Sequence, residues 1–291
     1  MRALRNALIL GLMVFLAAGS AEAEVGVDLQ RSLSLEAVPK DVAVSLNGKW
    51  VYVLTDSGDL LVYSGDGELE GRLPVGPSSE RLTVGPREDV VFVSDPMEKV
   101  VRVFALSLAQ EIDVSGAPFQ GPEDAPVEIT VFSEFQCPYC AKLAPLLDEV
   151  RTAYPETVKV VFKNYPLRNH PFAATAAAAA LAADRQDAFW PFHDRLFEHQ
   201  GELNRNTVAE IAASLGLDFG KLQRDMQDPD IAERIRKDIR DAQAAGVKGV
   251  PTVFVNGRRV RDRTFEGISD LVEQELGTRS ESSASRPEGG E

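Results

Sequence analysis

At 291 residues, 44% of them hydrophobic and 26% charged, the chain has the composition of an ordinary folded protein with room for two domains. A net charge of −14 and an isoelectric point near 4.8 argue against a nucleic-acid or anionic-membrane surface, and no basic patch is expected to interrupt that balance. With two cysteines and three histidines, none at a recognisable ligand spacing, the chain lacks the four-ligand set that a structural zinc site needs.

Arg2 and Arg5 precede an apolar run over residues 7–18, and Ala21-Glu22-Ala23 has the small-x-small form of a signal-peptidase site. Residues 1–23 therefore read as a signal peptide, with the mature chain starting at Glu24. The run is short of the roughly 20 residues of a membrane span, and an uncleaved anchor is the alternative reading. Export, to the periplasm or otherwise out of the cytoplasm, would place the cysteines in an oxidising compartment.

Residues 24–110 contain an internal repeat, since residues 42–53 align with residues 82–93, 40 positions later. Each copy continues to a further alternating run, at 60–63 and 101–104, so each unit reads as short strands joined by turns. The period suits propeller blades. The stretch resembles the YVTN and NHL class of β-propeller repeats, but two blades cannot close a ring, so something must cover their edges and apolar face. Three roles stay open for them: a β appendage packed on the next domain, a dimerisation module, or a docking module for client proteins.

Residues 111–126, rich in glycine and proline, read as a linker and lead-in. The β-branched run at 127–132 predicts a strand, and Leu143, Leu146, Leu147 and Val150 recur at helical spacing. Between them lies Phe135-Gln136-Cys137-Pro138-Tyr139-Cys140, which holds both cysteines. A disulfide closing so small a ring constrains the unfolded chain only weakly, so redox chemistry is the better reading than a structural bridge. Pro138 suits the first helical position and puts Cys137 at or beside the N-cap, where unpaired N–H groups and the helix dipole favour a thiolate. Cys137 is thus the expected solvent-reachable nucleophile, and Cys140 the resolving thiol one turn inward.

Further along, residues 158–162 predict a strand and 173–183 a buried packing helix. Phe189, Trp190, Phe192, Leu196 and Phe197 form an aromatic stripe that belongs to the core, and helices follow at 206–215, 219–226 and 229–245. His170, His193 and His199 read as surface or capping residues. Residues 253–255 and 260–265, joined through Asn256-Gly257, predict a hairpin, and residues 268–276 a closing helix. The tail over 278–291 reads as disordered.

The Cys-Pro-Tyr-Cys stretch, with Asp124-Ala125-Pro126-Val127 and Phe132-Ser133-Glu134-Phe135 before it and Pro145 after it, resembles the DsbA-like thiol-disulfide oxidoreductases of the thioredoxin superfamily. Far downstream, residues 249–257 are similar to that family's cis-proline loop, strand and turn. The resemblance implies an α/β thioredoxin fold over 127–277 with a helical insertion at about 170–245. It implies catalysis by Cys137 and Cys140 and substrate binding at Val250 and cis Pro251. It also implies redox tuning by Pro138, Tyr139 and Glu134, although Glu134 could equally be solvated. No cofactor is expected beyond the Cys137-Cys140 disulfide. The expected partners are cysteine-containing substrate proteins and a membrane redox partner that resets the thiols. Donation of the disulfide is the leading direction, with a reductase or isomerase on the same fold, or a binding protein built on the repeats, as alternatives.

Overall fold

The computed structural model describes residues 28–284 other than 30 and 88, with side chains as far as 277; the signal-peptide segment lies outside the described residues. Two antiparallel meanders come first. β1 (Pro39–Val44), β2 (Trp50–Thr55), β3 (Asp59–Ser64) and β4 (Leu69–Pro74) form a four-stranded sheet, and β5 (Arg81–Val84), β6 (Val90–Asp95) and β7 (Val100–Ala105) a three-stranded one. The turn from β1 to β2 is Asn47-Gly48, with Gly48 at a φ of 73° that side-chain-bearing residues rarely adopt. Trp50, Tyr52, Leu54, Leu60 and Val62 of the first sheet pack with Leu82, Val91 and Val93 of the second, so the repeats share one core. Polar contacts also join the sheets, including the Leu82 N–H to Asp41 Oδ2 at 2.8 Å. At the end of β6 the buried Asp95 carboxyl is held down at about 2 by the Glu98 N–H, the Ser78 hydroxyl and Arg102.

The second region is a mixed five-stranded sheet wrapped by helices. Its strands are β8 (Phe119–Gln120), β9 (Val127–Ser133), β10 (Val158–Asn164), β11 (Thr252–Val255) and β12 (Arg258–Arg259), in the order β12-β11-β9-β10-β8. Only β9 and β10 run parallel. They are joined by α1 (Pro138–Ala153), and between β10 and β11 lies an insertion of α2 (Ala173–Asp184), α3 (Phe189–Glu198), α4 (Arg205–Ser214), α5 (Phe219–Asp225) and α6 (Pro229–Ala244). α7 (Phe265–Ala284) closes the chain. β9 and β10 are covered on both faces, which is why they read as unbroken apolar runs rather than alternating ones. Ile129 and Val131 point into a core with Leu143 and Leu147 of α1 and Ile268 and Val272 of α7, while Phe132 and Phe254 pack on Ala242 of α6 from the other face.

Three expectations are corrected. The presumed linker supplies β8, which pairs with β10 along the sheet edge, and Gly121 passes so close that a Cβ there would lie 2.4 Å from the Val158 carbonyl oxygen. The hairpin arm ends after Arg259 and the ladder contact of Val260, because Arg261 and Arg263 turn away to bond Asp89 and the Pro251 carbonyl. The closing helix runs on to Ala284, so residues 278–284 continue it.

Buried charge ties the end of β10 to α6. Lys163, only 1% exposed, donates to Asp238 (2.9 Å), Asp241 (2.6 Å) and the Asp113 carbonyl (2.6 Å), while Asp238 also accepts the Asn164 N–H. This network fixes the strand beside the cysteine-bearing turn.

Candidate active site

β9 ends at Ser133, and the turn Glu134-Phe135-Gln136 delivers the chain to α1 with Cys137 as N-cap (φ −79°, ψ 119°) and Pro138 in its first turn. The proline costs no hydrogen bond there. No acidic side chain occupies the first turn, and the positive end of the helix faces the Cys137 sulfur. Both cysteines are free thiols. Cys140 lies one turn inward, and burial pushes its thiol well above the ordinary range against hydrogen bonds from Ser133 and the Glu134 backbone; the neighbouring Cys137 raises it further. A cavity of 460 Å³ lies under it, bounded by Val131, Phe162, Trp190, His193 and Phe197.

Cys137 is less open than expected, at 3% exposed, with its Sγ 3.9 Å from the Val250 carbonyl oxygen. The Val250-Pro251 bond is cis, and the β11 ladder starts only at Thr252, so Val250 lies outside the sheet pairing. The fold therefore brings together Cys137, Cys140 and Val250-Pro251 from segments more than a hundred residues apart. Tyr139, between the cysteines, is 70% exposed and stands at the surface over the site.

Glu134 is buried rather than solvated. Its carboxylate accepts the Gln136 N–H at 2.8 Å and pairs with His170 Nδ1, while Gln136 in turn bonds Phe172 N–H and Gln200. The turn before the cysteines is thus pinned to the helical insertion. His170 takes part in this, a role that sequence gave no sign of. His193 is also misplaced by a surface reading, since it is enclosed by Phe135, Phe162, Trp190 and Phe197, with ring centroids 4.8 to 5.7 Å away. Burial holds its pKa below the usual imidazole value, against the opposing pull of Asp194. The aromatic stripe is core, as expected, and it forms the floor of the site through Phe135.

A strand-turn-helix dithiol against a cis-proline loop, with helices inserted after the second strand, defines a thioredoxin-type protein. The sequence pattern of the family described as thioredoxin matches residues 113–274, more than half of the chain, and the chain belongs to that family. Among solved structures it is similar to a thioredoxin-like oxidoreductase from Silicibacter pomeroyi DSS-3. The two are 30% identical with a TM-score of 0.53, over 56% of this chain and 94% of that one. It shares the fold of oxidised BdbD from Bacillus subtilis, at 23% identity and a TM-score of 0.52, over 59% and 98% of the two chains. A curated relative, the Na(+)/H(+) antiporter NhaA 1 of Salinispora arenicola, is 38% identical over 155 residues, which are 53% of this chain and 24% of that protein. The chain spans about a quarter of the length of such relatives, and antiport is named for those whole proteins.

Proposed function

We propose that the chain is an exported thiol-disulfide oxidoreductase that donates its Cys137-Cys140 disulfide to substrate proteins. A substrate thiolate attacks Cys137 Sγ, a mixed disulfide forms, and Cys140 leaves and takes up a proton. The substrate's second thiolate then attacks its own sulfur in that mixed disulfide and expels Cys137. The substrate loses two electrons as its disulfide forms, and the enzyme dithiol gains them; a membrane redox partner would reoxidise it.

The observation that carries the reading is the Cys137-Cys140 dithiol at the start of α1, set against the cis Val250-Pro251 bond, and the burial of Cys140, which disfavours its thiolate, supports donation. A protonated Cys140 is slow to attack the mixed disulfide and reverse the first step, which leaves time for the substrate's own thiol to finish. Glu134 and His170 hold the turn in place, and the Val250 backbone, outside the sheet pairing, offers the substrate strand an edge.

Equilibration of the purified protein with glutathione buffers tests this. A reduction potential above about −200 mV supports donation, and one near −270 mV would make a reductase of it. Cys137→Ser is expected to abolish oxidation of a dithiol peptide, and a variant that retained the activity would overturn the assignment of the nucleophile.

A further inference from the structure

The thiol domain and the β repeats are bonded to each other beside the cis-proline loop. Lys49 Nζ donates to the Ala244 carbonyl (2.7 Å), Arg261 bonds Asp89 (2.6 Å) and the Leu106 carbonyl (3.0 Å), and the Gln110 N–H bonds the Gly257 carbonyl (2.8 Å). Between the two regions lies a cleft of 660 Å³. One wall is the end of α6 with β11, β12 and the residues after them. The other is the β1-β2 turn, the β5-β6 turn and the stretch following β7.

The cleft reaches Pro251, one residue from the Val250 carbonyl that touches Cys137 Sγ. Its charge is opposite to that of the chain. Among the described residues that line it, Arg87, Lys248, Arg259, Arg261 and Arg263 face a single carboxylate, Asp89, although acidic residues outnumber basic ones 45 to 31 in the chain as a whole. Arg259, Arg261 and Arg263 come from one arginine-rich stretch, 258–263, and folding brings Arg87 and Lys248 to it, which corrects the expectation that no basic patch interrupts the acidic balance. Asp89 is shared by Arg87 and Arg261, and Arg263 is anchored by the Pro251 carbonyl (2.6 Å) rather than by an acid. Lys248 has no ion-pair partner among the described residues. Fixed cations along a walled cleft concentrate an anionic ligand there.

We propose that this cleft is the docking groove for the residues flanking a substrate's reacting cysteine, and that it selects extended segments carrying Asp or Glu. A polypeptide paired along Val250 with its cysteine at Cys137 runs on past Pro251 into the cleft, so the β repeats supply half of the substrate site. This rests on the thiol-exchange reading above.

The test uses the full oxidised chain with two dithiol peptides, identical except for Asp or Lys residues beside one cysteine, and dithiothreitol as a third reductant. The expected result is a kcat/KM about tenfold higher for the Asp peptide at low salt, with the ratio falling toward one as salt rises. In the Arg87→Glu/Lys248→Glu variant the preference is expected to vanish or invert. Equal rates for the two peptides in the unaltered protein, or an unchanged preference in the variant, would overturn the docking groove alone. Failure to exchange with any of the three dithiols would overturn thiol exchange itself, and the groove with it.

Discussion

In the five-stranded sheet β9 and β10 have helices on both faces, so nearly every side chain along them is buried. In the repeats, β1 and β7 are covered on one face only: Val42 and Val103 are 61% and 60% exposed, while Ala43 and Phe104 beside them turn toward the shared core. The dithiol sits where the backbone is fixed from both sides, which is what a sulfur held against a neighbouring loop requires. The repeats keep an open apolar face and contribute a wall of the cleft.

The sharpest way to break this contrast is to remove the buried cation beside the site. Lys163→Met leaves Asp238 without its cation in a closed environment and Asp241 with Lys237 alone. Burial by itself would raise the Asp241 carboxyl, yet Lys163 and Lys237 hold it below its ordinary range. The expected loss is about 3 to 5 kcal/mol, read from the urea midpoint of the thiol domain. A loss under about 1 kcal/mol would mean that β10 does not depend on this network. Next comes Leu60→Ala in the core shared by the repeats, where a buried leucine is expected to cost about 2 to 5 kcal/mol. Dithiothreitol oxidation by the folded variant should be unchanged. A matching fall in that rate would show that the two regions act as one unit.

Much of this was legible in the sequence because it is local. The Cys137-Pro138-Tyr139-Cys140 turn, the 40-residue repeat and the insertion helices follow from spacing and periodicity within short windows, and the boundaries of α2, α4, α5 and α6 lie close to those expected. What was hidden depends on distant contacts. β8 is two residues long and exists only through its pairing with β10. Glu134 and His170 meet 36 positions apart, and nothing beside either residue signals the other. Lys163 reads as the polar end of an apolar strand until α6 brings two aspartates to it. The cationic cleft is a mixed case: Arg259, Arg261 and Arg263 are neighbours in the sequence, and only folding brings Arg87 to them from the other side of the dithiol.

The inner thiol sharpens the contrast through pH. Because burial raises the Cys140 pKa in the folded protein, the unfolded chain releases that proton first, near the ordinary thiol value of about 8.5. Above that pH the unfolded state binds fewer protons than the folded one, so stability falls as pH rises. The full contribution is present below about pH 8.5, and the loss is expected at up to about 1.4 kcal/mol per pH unit above it. Urea unfolding of the reduced protein between pH 7 and pH 10, compared with Cys140→Ala, isolates the effect. If the two proteins show the same slope, Cys140 ionises as freely when folded as when unfolded.

The smallest expected effect lies on the open face of the repeats. Val103→Thr keeps the β-branched shape that a strand favours and replaces a methyl already in contact with water. Neither a cavity nor an unpaired buried group results, so the stability change is expected to stay within about 0.5 kcal/mol, against several for Leu60→Ala a short distance away. That near-null value is informative because Val103 and Leu60 are both apolar positions of alternating strands, and a hydrophobicity pattern scores them alike. A urea midpoint for Val103→Thr that fell as far as that of Leu60→Ala would show that the face is covered in solution. If the cover is another molecule, the loss grows smaller as the protein is diluted below the concentration at which that contact holds.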